Sequence, residues 1–541
     1  MATAGLVWLR SHIFSTFSER IAEKIDSLKV SGYVITYDSL SVNWRKNIIE
    51  IDAFLLEKNA YDTTCIFPEF IKVAKVRAVG LRLMPLIFKG VLSFDKVVLD
   101  GAHLAFRQNS VLIPDSASRR QNEFILRIDD LSMTSAQIEY TDSLACESIL
   151  AFNSDVAIRN LAMDFRADKP LVYSASALAL DSVEMRMWKN PYTYRVHHAK
   201  VDFRRKLLAV DTIRFIPDYG KIEFGRQYGY EVDRFEGVIP FINAKGFTFT
   251  LVDTSLVKAS LAEVQFYVMV FRDKRLPFKR KEKPLPTTQL QQLPVTLIID
   301  SLKIIKSYVQ YEEFQNDAPE PGKIYFDNLE AVFTNINNRS PKTEILLHAK
   351  ALLMGEGKVN LSAVFPPGEN KKARLTGSLQ DFSIPKINSM LTPVTNLKVE
   401  SGKMDKLSFD FTYNARRSDG QIELAYTDLK LVTFKEEEKS DGPGLEKDNL
   451  KTFMMNTFVF RKNMDEDVPE EKRTGTVKYL RDDTKSIFNF WVKSVVSGIK
   501  SAYNLDKTEA KKSKKELKKE ERLARREARK LKKAARNKEK G

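Results

Sequence analysis

The fold is decided by three stretches that repeat one pattern: FDKVVLDGAHLAF at residues 94–106, IDDLSMTSAQIEY at residues 128–140 and IDSLKIIKSYVQY at residues 299–311. Corresponding positions lie 34 residues apart between the first two stretches, and 171 residues apart between the second and the third. Apolar residues alternate with polar ones in each stretch, and a turn with a small residue interrupts the alternation, as in paired β-strands. We therefore interpret each stretch as a hairpin that must pair with neighbouring hairpins to be stable.

The apolar positions of the repeat define a candidate groove. In a curved antiparallel sheet, alternation places one set of side chains on the concave face and the other set in water. Such a trough is either open to acyl chains or filled by helices of the same chain, and the sequence leaves both alternatives open. The candidate groove residues are Phe94, Val97, Leu99, Leu104, Phe106, Ile128, Leu131, Ile138, Ile299, Leu302, Ile304, Val309 and Tyr311.

The repeat contains polar positions that match as well. The same position of the repeat is occupied by Asp95, Asp129 and Asp300. Beyond the end of the second and third copies, Asn160 matches Asn328. The spacing of the aspartates fits turn or strand-edge residues better than catalytic carboxylates. We therefore predict a structural role for them.

Composition narrows the class of protein. The chain has 541 residues, 43% of them hydrophobic and 10% aromatic, so it can bury a core and is not a wholly disordered or collagen-like chain. The two cysteines, Cys65 and Cys146, are too few for a disulfide framework and lack zinc-site spacing. Phosphate-loop, dinucleotide-binding and nucleophile-elbow motifs do not occur in the sequence. We predict a protein that is not an enzyme and that uses no metal or cofactor.

The positive charge is concentrated in the last 35 residues. The whole chain carries +16, whereas residues 507–541 contain 17 Lys plus Arg against 6 Asp plus Glu and carry +11. This tail is either a solvated, solubilising segment or one that binds anionic lipid head groups or another polyanion. Nucleic acid is disfavoured because no aromatic residue lies among the charges to stack on bases. The candidate anionic-surface residues are Lys511, Lys512, Lys514, Lys515, Arg525 and Arg526.

The N-terminal residues 1–29 have an apolar stripe at a helical spacing of four residues, from Leu9 to Ile25. The apolar run ends at Arg10, far short of the roughly 20 residues that a membrane-spanning helix needs. We interpret this segment either as a helix packed on the body or as the end of a longer membrane anchor.

The remaining residues divide by composition. Two β regions, 30–271 and 295–434, flank a proline-rich basic linker at 272–294, and a polar stretch with one strand follows at 435–476. Residues 477–506 predict an amphipathic helix that Asp482 or Asp483 caps. This helix is either core-packed or interfacial. Its apolar face is formed by Ile487, Phe488, Trp491, Val495 and Ile499.

Most of residues 30–434 resemble one family of bacterial proteins. VRAVGLRLMPLIFKGVLSFDKVVLDGAHLAF at residues 76–106 is similar to the N-terminal module of the AsmA-like proteins of Gram-negative bacteria. LPVTLIIDSLKIIKSYVQYEEFQNDAPEPGKIYFDNLEAVFTNI, followed by GEGKVNLSAVFPP, ARLTGSLQDFSIPKINSMLTPVTNLKVESGKMDKLSFDFTYN and GQIELAYTDLKLVTFK, resembles their C-terminal region. The similarity is one of strand order and carries no catalytic residue.

The resemblance implies a mainly β fold, an elongated, curved antiparallel sheet of repeated hairpins with a few short helices. It also implies a non-enzymatic envelope protein that faces the periplasm, is associated with the inner membrane and serves outer-membrane biogenesis and integrity. The distantly similar TamB-like proteins imply phospholipid transport between membranes along a β-groove. The partners would be membrane lipids or acyl chains, and inner- and outer-membrane assembly proteins. The alternative is a periplasmic or membrane-associated scaffold with a closed core that binds an acidic partner or surface through its basic tail.

Overall fold

The computed structural model confirms a mainly β chain, with a long mixed sheet and a few short helices. The predicted N-terminal helix and the basic tail lie outside the residues that the structure describes. The described residues are 33–43, 45–58, 69–82, 84–85, 89–108, 125–142, 148–164, 172–187, 190–250, 256–316, 318–340, 342–367, 371–395, 397–436, 453–458 and 473–503.

The strands follow one another along nearly the whole described chain. They are β1 (Tyr33–Thr36), β2 (Ser39–Asn43), β3 (Ile48–Lys58), β4 (Phe70–Val79), β5 (Val91–Asp100), β6 (His103–Gln108), β7 (Ile125–Asp142), β8 (Ser148–Asp164), β9 (Val172–Ser174), β10 (Ala177–Met187), β11 (Tyr192–Asp202), β12 (Leu207–Pro217), β13 (Asp233–Lys245), β14 (Thr248–Thr250), β15 (Leu256–Asp273), β16 (Thr296–Phe314), β17 (Gly322–Asn337), β18 (Ile345–Leu353), β19 (Gly357–Phe365), β20 (Ala373–Ser383), β21 (Leu397–Tyr413), β22 (Arg417–Glu436), β23 (Phe453–Phe458) and β24 (Arg473–Leu480). The helices are α1 (Lys221–Tyr228), α2 (Pro286–Gln291), α3 (Asn388–Thr395), which follows a 3₁₀ turn, and α4 (Ile487–Ala502).

The chain forms two compact units. The first comprises Met1–Pro277 and Leu297–Tyr311, and the second comprises Phe278–Thr296 and Glu312–Gly541. One boundary falls inside the predicted linker at residues 272–294, whose first residues complete β15, and another falls inside β16, between Tyr311 and Glu312. All of the predicted groove residues belong to the first unit.

In the first unit, neighbouring strands are mostly antiparallel. Strands β1 and β2 pair with β3, and β3 pairs with β4, which pairs with both β5 and β6. From β7 onward the order is β7, β8, β10, β11, β12, β13 and β15, with β9 beside β8 and β14 beside β15.

None of the three copies of the repeat is a hairpin, which corrects the prediction: the third copy lies within the single strand β16. Strands β5 and β6 both run parallel to β7, and Phe94 lies opposite Ile128 while Leu104 lies opposite Ile138. The 34-residue offset between the copies is thus the register in which they pair. The small residue between β5 and β6, Gly101, kinks the chain without reversing it, so each copy is one long interrupted or kinked strand.

One residue with positive φ marks the kink in each copy. It is Gly101 (φ 63°) in the first, Ser135 (φ 50°) in the second and Lys306 (φ 40°) in the third. Ser182 (φ 52°) in β10 and Thr212 (φ 44°) in β12 adopt the same conformation. We call these five residues the kink row.

Hydrogen bonds hold the kinked backbone. The Ser135 N–H donates to Asp155 Oδ1 at 2.7 Å, and the hydroxyl of Thr134 donates to Asp100 Oδ1 at 2.6 Å. In the third copy the Ser307 hydroxyl, which is fully buried, accepts from the Phe266 N–H at 3.0 Å. These bonds offset the cost of a left-handed residue, which is about 1–2 kcal/mol for an L-amino acid.

The second unit continues antiparallel from β17 to β22, and both β23 and β24 pair with β22. The strand predicted within residues 435–476 is β23. Helix α4 packs on β22 and β24 through a face of small residues, because Ser494 and Gly498 are buried beside Phe490. A Cβ atom on Gly475 of β24 would lie 2.0 Å from the Gly498 carbonyl oxygen, so this close approach requires glycine.

The predicted C-terminal helix exists, but with a different start and a different buried face. Residues 477–480 belong to β24, and the Ser486 hydroxyl, rather than Asp482 or Asp483, accepts from the Asn489 N–H at the helix N-terminus. On the predicted apolar face the side chain of Phe488 is exposed, whereas Ile487, Trp491, Val495 and Ile499 are half-buried. The helix packs on the sheet through small residues because they let its backbone approach the strands closely.

Helix α4 also covers the outer edge of β24. The Thr476 N–H donates to the Ser501 hydroxyl at 3.2 Å, and the Lys478 N–H donates to the Ser497 hydroxyl at 3.3 Å. Both amides point away from β22, so they would otherwise form an edge that another strand can join.

The kink row predicts how Ser135 tolerates substitution. Ser135→Val should lower the free energy of unfolding by about 1–2 kcal/mol, because a β-branched residue is strained at positive φ, whereas Ser135→Gly should be neutral or stabilising. The control is Ser132→Val in the same strand, which should change stability by less than about 0.5 kcal/mol. Urea unfolding followed by circular dichroism measures the midpoints. Equal effects of Val at positions 132 and 135 would contradict the role of the kink.

The edge cover predicts amide exchange rates in β24. A Ser497→Ala and Ser501→Ala double variant should speed hydrogen exchange at Thr476 and Lys478, because both amides lose their acceptors. The Val477 amide, which points toward β22 by the alternation of the strand, is the internal control and should change less. Exchange that accelerates equally at all three amides would indicate general loosening and would contradict a specific cover.

Candidate functional site

The predicted groove residues line one face of the first unit. Phe94, Val97, Ile128 and Leu131 are buried in one cluster, and Leu104 is buried in a second. Leu99 packs on both clusters, and Phe106 and Ile138 pack on the second. Ile299 and Leu302 pack on a third cluster formed by Ala244, Ala259 and Ala262, and Ile304, Val309 and Tyr311 are half-buried.

The kinks keep this face continuous. In β10 the register against β8 shifts by one residue between Asp181 and Glu184, across Ser182. Strict alternation would send Leu180 and Val183 to opposite faces, and the shift returns them to the same face. Apolar side chains therefore stay on one face on both sides of the kink row.

The opposite face of the first unit is charged. Glu184 and Arg195, on neighbouring strands β10 and β11, form an ion pair at 2.9 Å. Arg159 and Asp130 lie 3.7 Å apart on β8 and β7. The sheet of this unit thus has one apolar face and one charged face.

The apolar face contains a pocket of about 480 Å³. That volume lies within the range of roughly 300–1,000 Å³ typical of small-molecule sites. The pocket lies across β11, β12, β13 and β15, on the same side of the kink row as Leu104 and Ile138. Its lining residues are Asn190, Tyr192, Tyr194, Phe215, Phe235, Ile239, Phe266 and Val268.

A glycine shapes the floor of the pocket. Gly237 lies opposite Phe215 on one side and Val268 on the other. A Cβ atom at this position would lie 2.7 Å from the Phe215 ring and 2.3 Å from the Tyr267 carbonyl oxygen. The missing side chain therefore gives the Phe215 ring its place in the wall.

The pocket is neutral, and its polar groups lie at one end. Burial raises the pKa of Tyr192, which accepts a hydrogen bond from the Phe235 N–H at 2.9 Å. The ring of Phe224 from α1 packs on Tyr192 at a centroid distance of 5.3 Å. The Asn190 amide donates to the Tyr194 hydroxyl at 3.3 Å. This arrangement suits an amphiphile, with an apolar chain along the aromatic wall and a polar group near Asn190.

None of the residues lining this pocket was among the predicted groove residues. They lie on strands that do not carry the repeat, so a search for repeated positions passes over them. The sequence signal that could have identified the pocket residues is the alternation of apolar residues with a period of two. It occurs in β11 at Tyr192, Tyr194 and Val196, and in β15 at Phe266, Val268 and Val270.

The first two repeated aspartates, Asp95 and Asp129, lie within β5 and β7 rather than in the predicted turns. Arg82 bridges them, since its Nε donates to Asp95 Oδ1 at 2.9 Å and its terminal nitrogen donates to Asp129. These hydrogen bonds raise the pKa of Arg82. The third aspartate, Asp300, is exposed. The predicted anionic-surface residues of the tail lie outside the described part of the chain.

Comparison with known proteins leaves the geometry as the main guide to function. The chain matches no protein-family model, no curated protein and no solved structure. Among the helices of the described residues, none has both the length and the apolar character needed to cross a membrane.

The pocket predicts binding of apolar probes. Val268→Glu should weaken binding of a fluorescent fatty acid at least about tenfold, because a carboxylate on the wall must be desolvated. Met269→Glu is the matched control, since the next residue points to the charged face and lies opposite Glu236. Titration by fluorescence measures both. Equal affinity of the two variants would contradict binding in this pocket.

Proposed function

We propose that this chain is a non-enzymatic lipid-handling protein of the cell envelope. The single observation that carries the proposal is the continuous apolar face of the first unit, which ends in the aromatic pocket. Acyl chains are the ligands that such a face suits, because they gain about 25 cal/mol for each Å² of apolar surface removed from water. The charged opposite face keeps the sheet solvated.

The resemblance of residues 30–434 to AsmA-like proteins supports a more specific proposal. The chain would serve outer-membrane biogenesis and integrity, or phospholipid transport between membranes, in a Gram-negative envelope. It would face the periplasm in association with the inner membrane, with membrane lipids and membrane-assembly proteins as partners. The apolar face supplies the physical mechanism, because it shelters acyl chains while head groups stay in water.

A second candidate function is a scaffold with a closed core. The observation that favours it is the complete burial of some residues on the apolar face: Ala136 is 0% exposed, and Val73 and Ala102 are each 1% exposed. In this case the basic tail would hold an acidic partner or surface, and the face would serve stability alone.

Lipid carriage distinguishes the two functions. Native mass spectrometry of detergent-free protein should detect co-purified phospholipid or fatty acid on the wild type and on the Met269→Glu control. The Val268→Glu variant should lose most of that lipid, because a carboxylate displaces the acyl chain from the wall of the pocket. Uptake of a fluorescent phospholipid in vitro should follow the same order.

Two other results would count against lipid handling. Absence of lipid on the wild type, with no uptake in vitro, would reject lipid handling. If deletion of residues 507–541 abolished function while Val268→Glu had no effect, the scaffold would be the better account.

A further inference from the structure

Exposed apolar side chains mark one part of the second unit. Phe488 and Val492 lie one turn apart on α4 and are 68% and 56% exposed. Leu480, at the end of β24, and Phe278 are exposed as well. Phe488 and Val492 are exposed because α4 packs on the sheet through small residues, Ser494 and Gly498.

A basic segment lies beside the start of this helix. The Lys283 N–H donates to the Asp483 carbonyl oxygen at 2.7 Å, and Arg280 pairs with the Asp483 carboxylate at 3.2 Å. These bonds place residues 278–283 next to the N-terminus of α4, where Lys485 Nζ lies 4.8 Å from the centroid of the Phe278 ring. Phe278 thus lies beside Lys485, which directly precedes the N-cap residue Ser486 of α4.

Basic residues predominate in the docked segment, because residues 278–283 contain four Lys plus Arg and one acidic residue, Glu282. Lys279 and Lys281 are exposed in the docked segment. From Thr484 to Leu505 the chain has three lysines and no acidic residue, and the tail of +11 follows at residue 507. We call Phe278, Lys279, Lys281, Phe488 and Val492 the basic apolar patch.

We propose that the basic apolar patch docks on an anionic lipid surface. Aromatic and aliphatic side chains that enter the interface between head groups and acyl chains, next to lysines that contact phosphates, are the features of a helix that lies on a membrane. A soluble polyanion would use the lysines but would leave Phe488 and Val492 in water. A membrane is therefore the ligand that contacts both the lysines and the apolar side chains of the patch.

This site is separate from the groove, because its residues belong to the second unit and the groove residues to the first. In the sequence, four residues separate the end of α4 from the basic residues 507–541. The helix would hold the chain at the surface of a membrane, and the tail would add attraction to the same leaflet.

Vesicle co-sedimentation with the full chain tests the proposal. The protein should bind phosphatidylcholine vesicles that contain phosphatidylglycerol, bind vesicles of phosphatidylcholine alone more weakly, and lose affinity as salt rises. A Phe488→Ser and Val492→Ser double variant should bind the anionic vesicles at least about tenfold more weakly. The matched control is a Val34→Ser and Met84→Ser double variant, since those side chains are 52% and 67% exposed in the first unit.

Other outcomes identify other occupants or none. Binding that is equal for the double variant and the wild type, with heparin competing fully, would overturn the proposal in favour of a simple polyanion. Binding that shows no preference for anionic vesicles would overturn it as well. Val268→Glu should leave vesicle binding unchanged, so failure of the groove and failure of the patch are distinguishable.

Discussion

One constraint governs the first unit: the strands must bend without sending their apolar side chains to the wrong face. Side chains alternate with a period of two, so a register shift of a single residue exchanges the two faces of a strand. Residues such as Ser135 and Ser182, each with positive φ, absorb that shift where the strands bend. Their backbone is held by hydrogen bonds such as the one from Ser135 to Asp155.

The apolar face and its pocket follow from that constraint. The cluster around Phe94 lies on one side of the kink row, whereas Leu104 and the pocket around Phe215 and Val268 lie on the other. Without the kinks, the same residues would divide between the two faces, and charged pairs such as Glu184–Arg195 would interrupt the apolar surface. In the second unit the sheet is covered differently, because α4 packs on it through Ser494 and Gly498. The two units thus present different surfaces, an apolar face with a pocket in one and a basic apolar patch in the other.

The sequence predicted the class of fold and the face of the sheet, but not the direction of the chain within each repeat. The repeat grouped Phe94, Leu104 and Ile138, which pack in two clusters that share Leu99. Glycine and serine favour both tight turns and strand kinks, so Gly101 and Ser135 were consistent with a hairpin until the pairing of β5 and β6 with β7 was known. That pairing depends on contacts between residues 34 positions apart in the chain. A local sequence pattern carries no information about such contacts. The buried face of α4 was not predicted, because large apolar residues usually mark the buried face of a helix. In α4 the helix backbone lies so close to Gly475 of β24 that small residues are needed on the buried face.

The central claim is that acyl chains lie along the apolar face of the first unit, and site-specific photo-cross-linking tests it most directly. A photoreactive amino acid would replace Leu99, Val268 or Val309 on the apolar face, and Lys200 or Met269 on the charged face. After irradiation in the presence of membranes, the account predicts lipid adducts from the first three positions and none above background from the other two. Absence of adducts from Leu99, Val268 and Val309, or equal yields from both faces, would contradict it.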